Sequence, residues 1–212
     1  MKKLNMKSHG PNGMLITFCG LDGCGKTTMI KNLKNTLLGH SIYNIITKQP
    51  TDGMRKTSIF RTYMDNEDHS EYAYRALSLM AAADRIQHCH NVIMPALQSG
   101  VTVISDRYFY SCLANLRARG YKDDKWIYEI ANDIPKPDYA FFLDVPVETA
   151  VARVRSRKAE KDRYIDMELQ HRLREEYIKI CKENGGILIP SDIGEEETYL
   201  KILENLKFLE AL

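Results

Sequence analysis

Gly20-Leu21-Asp22-Gly23-Cys24-Gly25-Lys26-Thr27 is the stretch of this 212-residue chain with the clearest chemical content. Its glycines let successive backbone N–H groups converge on one point, which makes an anion-binding nest. A helix starting near Lys26 aims its positive end at the same point. The spacing G-x-x-x-x-G-K-[ST] then adds an ammonium for the β and γ phosphates of a nucleoside triphosphate and a hydroxyl for a magnesium ion. Gly20, Gly23, Gly25, Lys26, Thr27 and Thr28 are therefore the candidate phosphate contacts, and Thr27 a candidate metal ligand.

Two further groups could complete phosphoryl transfer. The apolar run Val101-Thr102-Val103-Ile104 ends in Ser105-Asp106. A carboxylate at a strand tip beside a phosphate loop orients magnesium or its waters, so Asp106 is the second candidate metal residue. Arg107 and Tyr108 follow at the mouth of the same cleft. Arg153, Arg155, Arg157, Lys158, Lys161 and Arg163 crowd a short stretch that also holds Glu160 and Asp162. Such a run is commonly a solvated helix face. Beside a triphosphate site it reads instead as a lid supplying guanidinium charge to the transition state. No H-x-x-x-H pair marks a zinc site. His88 and His90, two apart, face away from each other on a helix.

The elements that must position these groups are legible from periodicity. Short apolar runs at 14–19, 42–47, 101–104, 139–143 and 187–190 read as strands. Helical patterns cover 26–38, most of 54–99 with a break at 65–70, and 109–132 with a break near Gly120. Others run from Pro146 to the basic run, on to about Lys182, and from Glu195 to Leu212. Five strands alternating with helices predict a three-layer α/β/α fold with a five-stranded parallel sheet, of the P-loop NTPase type. Its functional loops lie at the carboxyl ends of the strands. Residues 1–13, with three lysines and Gly10-Pro11-Asn12-Gly13, read as a flexible tail. Residues 14–212 read as a single domain with a lid at about 153–165.

Composition narrows the function classes. A net charge of +2 gives no field for a nucleic-acid polymer. No apolar run approaches the ~20 residues that cross a membrane, and the N-terminus has no secretory apolar core. Five scattered cysteines without C-x-x-C spacing predict reduced thiols in a cytoplasmic protein.

From Met14 to Leu212 the chain resembles the thymidylate kinase family of P-loop nucleoside monophosphate kinases. The resemblance rests on Phe18 to Thr28, on Thr47-Lys48-Gln49-Pro50-Thr51-Asp52-Gly53, and on Ala82-Ala83-Asp84-Arg85-Ile86-Gln87-His88. It continues through Asp106-Arg107-Tyr108, Pro135-Lys136-Pro137-Asp138 and Asp162-Arg163-Tyr164, with Gln170 and Tyr177 downstream. It implies a kinase domain that moves the γ-phosphoryl group of ATP, with Mg2+, to dTMP, and a homodimer paired through long helices. By the same resemblance, Lys26, Asp106, Arg153 and Arg157 are catalytic, and Asp22 takes the acceptor's 3′-hydroxyl. Arg85 and Arg107 grip the acceptor monophosphate, with Lys48 and Tyr108 also in the acceptor site. Arg153, Arg157 and Arg163 form the lid. Leu21, Asp22, Gly23 and Cys24 leave the loop without a basic residue, so the lid must bring the charge.

The resemblance is incomplete where a base would be read. Ala81 stands where the family places a stacking aromatic, and Asn115-Leu116-Arg117 where it has Y-Q-G. Lys48, Gln49 and Ile165 replace an Arg, a Glu and an acid. Loss of an aromatic platform removes stacking worth roughly 1–3 kcal/mol. A kinase for a different or modified nucleoside monophosphate, or a weakly active nucleotide-binding relative, is the alternative reading. A GTPase switch is disfavoured: its guanine motif N/T-K-x-D meets only Pro135-Lys136-Pro137-Asp138.

Overall fold

The computed structural model describes residues 2–122 and 124–211; Met1 of the expected tail and Asp123 and Leu212 of the expected domain lie outside them. Five parallel strands make one sheet in the order β2-β3-β1-β4-β5. They are β1 (Leu15–Cys19), β2 (Asn44–Lys48), β3 (Thr102–Asp106), β4 (Tyr139–Asp144) and β5 (Ile187–Pro190). Central β1 and β3 are buried along their whole length, so neither shows alternation. Edge strands β2 and β5 are only partly covered, which leaves Ile46 and Leu188 exposed. The second strand begins two residues later than its apolar run suggests. Ile42 N–H still bonds Leu37 O, closing the end of the preceding helix.

Helices α1 (Lys26–Gly39) and α10 (Glu195–Leu203) cover one face of the sheet. The other carries α4 (Tyr74–His88), α6 (Phe109–Ala118) and α9 (Met167–Asn184). Shorter pieces are α2 (Asp52–Arg55), α3 (Ser58–Asp65), α5 (Met94–Gln98), α7 (Trp126–Ile130) and α8 (Val147–Arg155). A π-helical turn at Cys89–Ile93 joins α4 to α5. The helix expected to run to Leu212 instead stops at Leu203, and a 3₁₀ turn follows at Lys207–Ala211. Asn205 donates its side-chain amide back to Lys201 O just past that end.

Phe18 and Phe141 stack at 5.3 Å between neighbouring strands. With Tyr108, Phe109 and Phe142 they form the centre of the core, each burial contributing roughly 1.5–3 kcal/mol. A separate small cluster, Met54, Ile59, Leu77 and Ala81, fastens α2 and α3 to α4. This flap hangs over the carboxyl end of the sheet and packs mainly through that cluster.

The N-terminal residues correct the expectation of a free tail. Leu4 is 3% exposed and belongs to the main core, and its N–H donates to Asn184 Oδ1 at 2.9 Å. Lys7 pairs with the chain ahead of β4, donating to Ile134 O and accepting from Lys136 N–H. His9 Nε2 lies 3.0 Å from Asp138 Oδ2. Leu4 and Met6 are apolar residues among lysines, and the core takes both.

Candidate active site

The loop between β1 and α1 is built by its close approaches. Gly23 has φ 84°, and a Cβ there would lie 2.1 Å from Ala150 O of α8, so only glycine fits. Gly25, at φ 93°, turns the chain into the first turn of α1. Lys26 is buried, and its ammonium donates to Leu21 O at 2.7 Å and Gly20 O at 3.2 Å. Cys24 Sγ, 3.5 Å away, is a third contact, which gives that thiol a packing role. Thr27 is exposed and Thr28 half-buried at the loop's outer face.

Asp22 is the junction of the site. Arg107 donates to its Oδ1 at 2.5 Å and Arg163 to its Oδ2 at 2.9 Å. Burial works against its charge, but the cations of Arg107, Lys26 and Arg163 outweigh that and hold its carboxyl well below the usual range. Arg107 is placed by a left-handed backbone, φ 68°, directly after β3, and its N–H is pinned to Phe18 O. Its other contacts are Gly20 O at 3.1 Å and the Tyr177 hydroxyl at 3.0 Å. Burial lowers the Arg107 pKa; Asp22, with Tyr177 and Asp106, more than reverses this and keeps the guanidinium firmly charged.

These groups open into one cavity of about 170 Å³ beneath the α2–α3 flap. Asp22, Arg85, Arg107 and Arg163 line it. Arg85 is 3% exposed, donates once to Ala81 O at 2.8 Å, and keeps a buried Nε without a partner. Asp106 is at the tip of β3 with its Oδ1 buried and unpartnered and its Oδ2 3.6 Å from Lys48 Nζ.

The residues present fit a magnesium ion: Asp106 offers a free carboxylate oxygen and Thr27 an exposed hydroxyl. Among the described residues no group of three His, Cys, Asp or Glu forms a metal cage. That suits an ion held largely by phosphate oxygens and water.

A family model described as thymidylate kinase matches residues 18–199. The chain belongs to the thymidylate kinase family. A "Probable thymidylate kinase" of Thermococcus kodakarensis is 37% identical over 190 residues, covering 87% of this chain and 92% of that protein. A "Thymidylate kinase" of Enterococcus faecalis is 32% identical over 204 residues, covering 91% and 96%. One of Buchnera aphidicola is 34% identical over 184 residues, covering 83% and 85%.

In this thymidylate kinase three of the expected site residues lie outside the lining of that cavity. Tyr108 is fully buried and donates its hydroxyl to Pro135 O at 2.7 Å, so it braces the turn after β3 and does not line the cavity. Arg153 lies on α8 and reaches across to Ser191 O at 3.1 Å, with Gly23 O at 3.5 Å. Arg157, in the connection between α8 and α9, is exposed and makes no side-chain hydrogen bond among the described residues. Of the basic run only Arg163 enters the cleft.

Arg55 is the residue that the motifs do not reveal. It lines the same cavity, donates Nε–H to Pro50 O at 2.9 Å, and lies 5.7 Å from the Phe60 ring. Burial, then Arg107, lowers its pKa, while Asp22 and Asp106 raise it. No carboxylate pairs with Arg55 among the described residues. A basic residue two positions after Gly53 was its only signal in sequence.

Proposed function

We propose that the protein is an ATP-dependent phosphotransferase that converts dTMP to dTDP. The observation that carries this is the junction at Asp22. A carboxylate of the phosphate loop is clamped by Arg107 from β3 and Arg163 from the lid, beside buried Lys26. Donor and acceptor machinery thus meet at one point.

The donor's phosphates lie against the loop amides, with the Lys26 ammonium turning from Leu21 O toward them. Arg55, Arg85 and Arg107 face the acceptor, where a dianionic phosphate suits their excess of positive charge. One of its oxygens attacks the γ phosphorus, the bond to the β-γ bridging oxygen breaks, and ADP leaves. The attacking oxygen is already ionised, so no general base is needed. Arg163 brings charge to the transferring group as the lid closes and shuts out water. A magnesium ion, held through Asp106 and Thr27, would neutralise phosphate charge.

Two finer readings accompany this. The exposed face of α4 carries Leu79 and Met80, 44% and 42% exposed, with Ala76 and Ala83 at helical spacing, and it pairs two copies into a homodimer. The five buried, unpaired thiols fit a reducing cytoplasm. Among the described residues no helix is long and apolar enough to cross a membrane.

Coupled ADP release measured with each common ribo- and deoxyribonucleoside monophosphate tests the activity. The expected result is turnover on dTMP, abolished in Lys26→Ala. ADP formation with no phosphorylated acceptor would overturn the reading. Light scattering of Leu79→Glu tests the dimer, which it should split.

A further inference from the structure

Arg107 is held by three acceptors, and one of them comes from outside the phosphate loop. Its guanidinium carries five N–H donors. Nη1 donates to Gly20 O at 3.1 Å and to the Tyr177 hydroxyl at 3.0 Å, and Nη2 donates to Asp22 Oδ1 at 2.5 Å. Among the described residues Nε–H and one Nη2–H make no hydrogen bond, so two donors are left for the oxygens of a ligand. Gly20 and Asp22 belong to the loop, whose contacts change when a donor nucleotide arrives. Asp22 is also shared with Arg163, so its hold on Arg107 varies with the lid. Tyr177 reaches in from α9 and depends on neither.

The place of that hydroxyl is fixed by the sheet. Arg174, three residues earlier and on the same face of α9, donates Nε–H and Nη2–H to the two carboxylate oxygens of Asp144 at 2.7 and 2.9 Å. Asp144 ends β4, the strand beside β1. The Tyr177 ring is 4% exposed and meets the Phe142 ring edge-on at 6.4 Å. The ring is therefore part of the core, and its one polar atom is given to Arg107. Burial raises the Tyr177 pKa above its ordinary 10, so Arg107 meets a neutral phenol. A neutral acceptor orients the guanidinium and leaves its charge for an incoming anion, which a second carboxylate beside Asp22 would not.

We propose that Tyr177 is a positioning residue for the acceptor phosphate. Its hydroxyl holds Nη1 of Arg107, so that the free Nε–H and Nη2–H donors stay set for phosphate oxygens whether or not the lid is closed on Asp22. It acts through Arg107. The proposal rests on the monophosphate kinase reading above and adds the residue that sets its acceptor grip.

Tyr177→Phe removes one oxygen and keeps the ring in place, so the variant folds. Steady-state kinetics with each substrate varied, and with thymidine as a competitive inhibitor against dTMP, read the effect. The KM for dTMP should rise roughly fivefold. The KM for ATP should stay unchanged, and so should the inhibition constant of thymidine, which has no phosphate for Arg107 to hold. A hydroxyl that only shaped the pocket would weaken dTMP and thymidine alike; that result, or a wild-type KM for dTMP, overturns the proposal. A second measurement needs no turnover. Calorimetric titration of dTMP into Arg107→Ala, and into the same chain carrying Tyr177→Phe as well, should give equal dissociation constants, because the hydroxyl has lost the group it holds. A further loss of roughly fivefold in the double variant would place the hydroxyl's action elsewhere and overturns the proposal equally. A wild type inactive on every monophosphate would instead remove the kinase reading beneath it.

Discussion

Charge is unevenly distributed around the cavity. Arg55, Arg85, Arg107, Arg119 and Arg163 line it against Asp22 and Asp166, and only Arg107 and Arg163 have an acid as direct partner. Arg55 is the most informative of the three unpaired arginines, because burial and Arg107 both press against its charge. A dianion entering the cavity relieves that pressure, so binding should draw on Arg55 strongly. Arg55→Met should raise the acceptor KM about tenfold or more, with kcat and the KM for ATP little changed. Steady-state kinetics with each substrate varied separately decides it; equal loss for ATP would place Arg55 on the donor side. The loop motif, Asp106, Arg107 and Arg163 were legible in sequence because each sits in a short fixed pattern. Arg55 was not, because only the four-residue helix α2 and its packing on α4 turn it inward. The burial of Tyr108 was hidden for the converse reason: the Asp-Arg-Tyr run does not show that the left-handed turn at Arg107 sends the neighbouring ring into the core.

At the scale of elements, the site depends on joints between pieces that meet closely. The loop meets α8 at Gly23, where a methyl group would strike Ala150 O on a backbone already at positive φ. Gly23→Ala should destabilise the fold by on the order of 3 kcal/mol and weaken ATP binding together, seen as a lower Tm and a raised KM for ATP. A second joint ties β2 to α4. Gln49 Nε2 can only donate, so His88 Nδ1 accepts at 3.0 Å, and His88 Nε2–H is left to donate to Thr47 Oγ1 at 2.7 Å. Burial, with Arg85, lowers the His88 pKa below its ordinary 6.5, against a smaller opposing pull from Asp84. As pH falls through 6.5 the unfolded chain takes up this proton before the folded one does. The stability from neutral His88 is therefore present above that pH and lost below it. Thermal melts from pH 7.5 down to about 5.5 should show a Tm decline that is shallower in His88→Gln. Identical slopes would place the acid sensitivity elsewhere. The parallel sheet and its helices were legible because buried strands read as unbroken apolar runs. The exact start of β2 was not, since an edge strand mixes buried and exposed positions and its first residues serve the turn after α1.

The whole molecule separates its chemistry from its fastening. Phosphate loop, Asp106, Arg107 and lid lie at the carboxyl ends of the strands, where a parallel sheet places its sites. The N-terminal segment is docked at the opposite end. It meets Asn184 ahead of β5, Ile134 and Lys136 ahead of β4, and Asp138, which also accepts Leu15 N–H at the start of β1. Composition could not reveal this docking, because three lysines and a breaker cluster outweigh Leu4 and Met6 in any local average. Full burial of Leu4 contributes about 2 kcal/mol, and the paired backbone groups of Leu4 and Lys7 add about 1 kcal/mol each. The entropy of ordering the segment offsets part of this, so deleting residues 2–9 should lower stability by roughly 3 kcal/mol, several degrees in Tm, while both substrates keep their KM values at 25 °C. The remaining Asp138 still holds β1 to β4, so the sheet should close without the strap. A truncated chain that melts like the full one would show that Leu4 contributes nothing by its burial. One that keeps its Tm and loses acceptor affinity would show that the two ends of the sheet are coupled through β1, which carries the phosphate loop at its far end.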